Sequence, residues 1–226
     1  MKYEISGKVM QVVTLTLNPG ETVVTQAGGM TWMTDNFHME TNMAGGLLGG
    51  FKRALAGESM FLTRYTCYRD MGQIAFSAGF PGNIIPLHLE PGQQMICQKG
   101  AFLCSEESVQ LGIHFRKKLA RGLFGGEGFI LQSLTGPGYA FLEIDGEVIE
   151  RNLGPNEIIK VDTGHVAMFE PTVSFDVELV KGFTNLLFGG EYFFAVLRGP
   201  GRVWLQTMPV VNLVQKILPF IPDRSN

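Results

Sequence analysis

The stretch Leu89-Glu90-Pro91-Gly92-Gln93-Gln94-Met95-Ile96 decides the fold, because it returns twice more in the same chain. Leu153-Gly154-Pro155-Asn156-Glu157-Ile158-Ile159-Lys160 follows it and Leu17-Asn18-Pro19-Gly20-Glu21-Thr22-Val23-Val24 precedes it. Each reads as the end of a strand, a tight turn and the start of another strand. Proline sets φ near −65° at the first corner, and the next corner of a type II turn requires φ > 0, the conformation that glycine and asparagine tolerate. A fixed recurrence of this kind identifies an internal repeat, whose detection comes before any motif.

The second and third copies stay in register over the residues that follow. Pro91 and Pro155, Gly100 and Gly164, Val109 and Val173, and Glu127 and Glu191 are all 64 residues apart. Between them run Val109-x-Leu111-x-Ile113-x-Phe115 and Val173-x-Phe175-x-Val177-x-Leu179, whose alternation marks a half-buried strand. The first copy is looser: Pro19, Gln26 and Gly28 precede Pro91, Gln98 and Gly100 by 72 residues, and Phe37-x-Met39-x-Thr41 takes the place of the alternating strand. Each copy then carries a glycine-rich segment, Gly45–Phe51, Gly122–Gly126 and Asn185–Gly190, followed by Gly-Glu at Glu58, Glu127 and Glu191. A strand pattern comes next, and Gly136-Pro137-Gly138 and Gly199-Pro200-Gly201 read as hairpin turns before the last strand of their copies. The units predicted are 1–86, 87–150 and 151–209, with a tail at 210–226. Short helices are expected at most near 51–56, 116–121 and 210–218. Ile5-Ser-Gly7-Lys-Val9 resembles Ile144-Asp-Gly146-Glu-Val148, which predicts that the N-terminal strand completes the third unit and closes a ring.

Composition agrees with an all-β chain. Hydrophobic residues make up 45% and charged residues 17%, and 29 glycines and 11 prolines suit short strands joined by tight turns. The formal charge of −3 speaks against nucleic acid as a partner, since phosphate binding draws on a basic surplus. The alternating start MKYEISGKVMQ has no apolar run of a secretory leader, no window has the length of a membrane-spanning helix, and three cysteines without a C-x-x-C pair fit a reducing compartment. The expected location is therefore cytoplasmic. Cys97 and Cys104 flank a Lys99-Gly100 turn signal and read either as partners across a hairpin or as small apolar residues within a sheet.

The three Pro corners and the repeated G-G-E-x-F phrase together resemble a widespread family whose fungal members are named for altered inheritance of mitochondria. The resemblance covers about residues 1–209. It implies a TRAP-like fold, after the tryptophan RNA-binding attenuation protein, with three β-sandwich units fused around a pseudo-threefold axis. It implies no biochemical activity, and fold likeness does not carry over an RNA or tryptophan site.

No catalytic constellation is visible: there is no G-x-S-x-G elbow, no phosphate-binding loop and no H-x-x-x-H spacing, and no cofactor is expected. Glu58, Glu127 and Glu191 read in two ways. They could converge on the axis as oxygen ligands for a hard cation, but the simpler use is to order the glycine loops by accepting backbone N–H bonds. Leu47, Leu48 and Phe51, Leu123 and Phe124, and Leu187 and Phe188 occupy equivalent loops beside Lys52, Arg53, Arg116, Lys117, Lys118, Arg121 and Lys181. Apolar tips ringed by basic residues suit a protein partner or an anionic membrane surface; the alternative is that they turn inward at the unit interfaces. The expectation is a non-enzymatic scaffold or binding protein, peripheral to a membrane if the tips are exposed and able to form homo-oligomers. The competing expectation is a ligand-binding or enzymatic module with a pocket between units.

Overall fold

The structure is a computed structural model that describes every residue except 27, 44–60, 118–128, 180–192, 218–219 and 222–226. Among the described residues it is all-β apart from 3₁₀ turns and one short helix. After β1 (Lys2–Ser6), the strands fall into three successive sets of six. The first set is β2 (Val12–Leu17), β3 (Thr22–Gln26), β4 (Met30–Met33), β5 (Phe37–Met43), β6 (Phe61–Cys67) and β7 (Gly72–Ser77). The second is β8 (Gly82–Leu89), β9 (Gln94–Gln98), β10 (Phe102–Glu106), β11 (Gln110–Lys117), β12 (Phe129–Thr135) and β13 (Gly138–Asp145). The third is β14 (Val148–Leu153), β15 (Ile158–Asp162), β16 (Val166–Phe169), β17 (Ser174–Leu179), β18 (Phe193–Arg198) and β19 (Gly201–Gln206), and α1 (Val210–Ile217) follows.

Pairing order recurs with the strands. In each set the first, sixth and third strands lie side by side, as β2-β7-β4, β8-β13-β10 and β14-β19-β16. The fourth, fifth and second do likewise, as β5-β6-β3, β11-β12-β9 and β17-β18-β15. Neighbouring sets are stitched together where β3 pairs with β10 and β9 pairs with β16, giving two six-stranded sheets.

The three Pro corners share one geometry. Glu21, Gln93 and Glu157 donate their backbone N–H to the carbonyls of Asn18, Glu90 and Gly154 at 3.0, 2.9 and 3.1 Å. The second corners, Gly20, Gly92 and Asn156, have φ of 89°, 78° and 63°. The side chains of the same three residues accept from the backbone N–H of Asn18, Glu90 and Gly154 at 2.7, 2.9 and 2.8 Å. Each corner moves the chain from one sheet to the next, so its two flanking strands are not hairpin partners.

Three expectations are corrected by this topology, and the two readings of Cys97 and Cys104 are decided in favour of small buried residues within sheets. The N-terminal strand β1 pairs with β2, in register from Lys2 opposite Thr16 to Ser6 opposite Val12, and not with the third set. Its pattern Lys-Tyr-Glu-Ile-Ser buries little, and it serves as an outer strand of the first sheet. The Gly-Pro-Gly segments are not hairpin turns: β12 pairs with β11 and β9, whereas β13 pairs with β8 and β10. The chain crosses between sheets there at close quarters, for a Cβ on Gly136 would stand 2.5 Å from the carbonyl oxygens of Leu89 and Glu90. Cys97 and Cys104 likewise belong to different sheets, because the Lys99–Ala101 segment is a 3₁₀ turn that changes sheet. Both are fully buried free thiols, and burial pushes that of Cys97 up to about 12. Finally, Arg116 and Lys117 end strand β11 rather than opening a helix; 118–121 and the helix expected at 51–56 lie outside the described residues.

Alternation along the strands fills three core clusters. Val13, Leu15, Leu17, Ile74 and Phe76 build the first, which takes in Leu103, Cys104 and Phe141 from the second set. Leu89, Met95, Cys97, Leu134 and Leu142 build the second, with Ala167, Met168 and Trp204 from the third set. The third joins Ile96, Phe129 and Leu131 to Phe169, Leu197 and Val203. Because every cluster draws on two sets, burial at a junction is core formation, and neither partner set could bury these faces alone.

Candidate functional site

Among the described residues, crevices open at the sheet-changing turns where sets meet, and two of them share a residue. The larger, about 240 Å³, opens between the second and third sets and is lined by Gln98, Ala101, Glu143, Asp145, Gln206 and Val211, among others. The smaller, about 210 Å³, opens between the first and second and is lined by Thr25, Gln26, Ser77, Phe102 and Glu143. Glu143 borders both.

Strand β13 delivers Glu143 and Asp145 to the crevices two residues apart, hence on one face of the strand. Glu143 Oε2 accepts from the Gly79 backbone N–H at 2.6 Å, tying the second set to the end of the first. One junction later, Gln206 Oε1 accepts from the Asp145 backbone N–H at 3.1 Å. Gln206 also donates through Nε2 to the Gly164 carbonyl at 2.7 Å and to Gln98 Oε1 at 3.3 Å. Asp145 Oδ2 accepts from the Val210 N–H at 2.9 Å and so caps the start of α1. Burial pushes the Glu143 carboxyl above its ordinary range and the Asp145 charge adds to the effect, against the Gly79 hydrogen bond. Asp145 is also raised by burial, opposed by its bond from Val210.

His165 holds the other side of α1. Its Nδ1 lies 2.7 Å from the Gln206 carbonyl oxygen, so Nδ1 must carry a proton, and Nε2 lies 3.1 Å from Asn212 Nδ2, from which it accepts. The neutral Nδ1–H tautomer satisfies both contacts. Val210 and Val211 line the crevice from the start of the helix, whereas Val214 and Ile217 are exposed.

A second recurring lock was not read from the sequence. Glu106 Oε2 accepts from the Tyr139 N–H at 2.7 Å, Glu170 Oε2 from the Arg202 N–H at 2.9 Å and Thr34 Oγ1 from the Gln73 N–H at 3.1 Å. These acceptors stand at the repeat offsets of 72 and 64 residues, which would have found them.

Of the residues singled out from the sequence, Glu58, Glu127 and Glu191 lie outside the described residues, as do Leu47, Leu48, Phe51, Leu123, Phe124, Leu187 and Phe188. Their anchoring strands are described: the three glycine-rich segments connect β5 to β6, β11 to β12 and β17 to β18, the same step in every set. Among the described residues, no group of three or more metal-ligating side chains occurs, and no helix is long and apolar enough to cross a membrane.

A family model described as "Mitochondrial biogenesis AIM24" matches residues 3–208, nearly the whole chain. The chain belongs to this AIM24 family. One relative of this AIM24 chain is the uncharacterized protein M6_Spy0233 of Streptococcus pyogenes serotype M6, 28% identical over 223 residues that cover 95% of this chain and 88% of the relative. The crystal structure of protein SPYM3_0169 from Streptococcus pyogenes superposes with a TM-score of 0.80 over 97% of this chain and 99% of that one, at 24% identity. At that identity the likeness establishes the AIM24 chain's fold and carries no activity with it.

Proposed function

We propose that this AIM24 chain is a non-enzymatic binding protein built from three diverged TRAP-like units, and that the crevice at Glu143 and Asp145 holds a small organic cation with an apolar body. The recurring strand order, the common corner geometry and the placement of the Thr34, Glu106 and Glu170 locks at the repeat offsets support the triplication.

The observation that carries the ligand assignment is the pair of carboxyls in one crevice whose proton affinities are raised by burial. A bound cation favours their ionised forms and offsets the burial. Phe80, Ala101, Pro209 and Val211 supply apolar wall, while Gln98 and Gln206 supply polar groups that fix orientation. Thermal-shift and calorimetric titrations with phenethylammonium, agmatine and spermidine test this. Stabilisation by at least one amine, lost in Glu143→Gln and Asp145→Asn, is the expected result; no shift with any of them at millimolar concentration refutes it.

A second reading is favoured by the placement of the glycine-rich segments at one step of every unit. Three units in rotation would gather these loops on one face, with Glu58, Glu127 and Glu191 ordering them and Leu47, Leu48, Phe51, Leu123, Phe124, Leu187 and Phe188 at their tips. Such a face would dock on an anionic membrane as a cytoplasmic, peripheral scaffold. Inserting one large apolar side chain is worth about 1.5–3 kcal/mol, so several together are sufficient for attachment. Co-sedimentation with phosphatidylserine vesicles at low salt, abolished by Phe124→Asp with Phe188→Asp, is expected. Equal recovery of the double variant and the natural chain with the vesicles refutes it.

A further inference from the structure

The junction between neighbouring units uses the same two strands each time. β3 pairs with β10, with Thr25 opposite Cys104 and Val24 opposite Ser105. β9 pairs with β16, with Cys97 opposite Met168 and Ile96 opposite Phe169. The offsets are those of the sequence repeat, 72 from Thr25 to Cys97 and 64 from Cys104 to Met168. The second strand of one unit therefore always meets the third strand of the next, in one register. The paired residues are buried at both junctions: Thr25 is 1% exposed, and Cys97, Cys104 and Met168 are fully buried.

Two strands of this kind are left over. β15 is the second strand of the third unit and β4 is the third strand of the first, and each lies at the outer edge of its sheet. Applying the offsets, Trp32 stands where Cys104 and Met168 stand, yet it is 43% exposed. Ile158, on the opposite edge, is 44% exposed. The linkers between units tell the same story of an open series. Gly82 donates its backbone N–H to the Val9 carbonyl, Gly146 to Pro81 and Thr207 to Glu147, at 2.7, 2.8 and 3.1 Å. Each step continues from the one before. An unpaired strand edge templates further pairing unless it is blunted, and β4, reading Met-Thr-Trp-Met, carries neither charge nor proline.

We propose that β15 of one copy pairs antiparallel with β4 of a second copy of this chain, in the register used twice inside it. Val161 then faces the second copy's Trp32, and Lys160 faces its Met33. The proposal rests on reading the chain as three equivalent units. The contact is head-to-tail, so every added copy presents a fresh β15 edge, and the assembly grows into a filament or closes as a ring of several chains. Trp32 is the anchor: a large aromatic side chain moving from a half-exposed edge into a position that is buried at both internal occurrences.

Cysteine pairing tests the register directly, since residues opposite each other in antiparallel strands have Cα atoms about 4.5–5.5 Å apart, within disulfide range. One chain carries Met33→Cys and another Lys160→Cys, the second pair of the same register, which leaves Trp32 in place; the three natural thiols are buried and give a low background. Oxidation with copper-phenanthroline is expected to yield disulfide-linked dimers in the mixture and in neither chain alone, and a ladder of multimers from the double variant. Monomer throughout, or a double variant that forms only an intramolecular disulfide, overturns the proposal; the latter would mean that the chain closes on itself. Thr25→Cys, opposite the natural Cys104, serves as the internal control, read as the loss of two thiols by mass spectrometry. If the control links and the mixture does not, head-to-tail pairing fails while the repeated junction stands. If the control itself fails, the common junction fails and the proposal with it.

Discussion

Replacing glycines at two kinds of position separates backbone strain from steric collision, and the repeat predicts which is which. At Gly20 and Gly92 the backbone is left-handed, with φ of 89° and 78°, but an added Cβ would meet no atom within 4 Å. Gly20→Ala and Gly92→Ala should therefore cost only the left-handed penalty, about 1–2 kcal/mol each. At Gly136 the added Cβ would stand 2.5 Å from two backbone carbonyl oxygens and 2.7 Å from Leu89 Cβ, so a whole sheet crossing must shift. Gly136→Ala should cost about 3 kcal/mol or more. With a urea slope of about 3 kcal/mol/M, the midpoints fall by roughly 0.5 M for the corner variants and about 1 M or more for Gly136→Ala. Asn156→Gly at the third corner should leave the midpoint nearly unchanged, because asparagine and glycine both accept its φ of 63°. Unequal losses for Gly20→Ala and Gly92→Ala, or a Gly92→Ala as damaging as Gly136→Ala, would refute the equivalence of the corners.

Glu143→Gln should raise the melting temperature at pH 7, with the gain disappearing toward pH 4. The folded-state pKa of Glu143 is raised, so this group's contribution is full below its unfolded pKa and is lost as pH climbs through the folded one. A neutral side chain that still accepts from Gly79 escapes that loss, and a pH-independent difference would contradict it. Glu170 behaves oppositely. Burial alone would raise its pKa, but the Arg202 N–H, the Arg202 guanidinium bond at 2.8 Å and its charge hold it below the usual carboxylate range. Its contribution is present above the unfolded pKa and lost as pH falls through the depressed one, so Glu170→Ala should destabilise by about 1–2 kcal/mol at pH 7 and by less in acid, measured by urea titration. Cys97 and Cys104 should stay unmodified by iodoacetamide at pH 8 in the native protein and react fully in denaturant, because burial both hides the thiols and raises their pKa.

The local grammar of this fold is legible in its sequence. Proline followed by glycine or asparagine sets the corner whatever lies around it, and Val109–Phe115 or Val173–Leu179 can bury one face only as strands. Sheet membership is not legible in the same way. Gly136-Pro137-Gly138 looks like a hairpin turn because hairpins are the usual use of such residues. Only the distant carbonyls of Leu89 and Glu90 explain why glycine is needed there. Likewise β1 resembles the end of another unit, yet its pairing is settled by its neighbour β2. The crevice was hidden for a different reason. Aligned on the last strands, Glu143 corresponds to Ser77 and Gln206, and Asp145 to Gly79 and Met208, so a search for conserved repeats passes over the one copy whose chemistry departs. The repeat offsets did hold the Thr34, Glu106 and Glu170 locks, although two carboxylates and a hydroxyl do not look alike until their common backbone partner is seen.

Hydrogen exchange of backbone amides in dilute solution weighs the junction geometry against its open ends most directly. The amides of β3 and β9 that face β10 and β16 should exchange only with global unfolding, whereas the outward amides of β15 should exchange orders of magnitude faster. Protection of β15 equal to that of β9 in a demonstrably monomeric sample would contradict an open third edge.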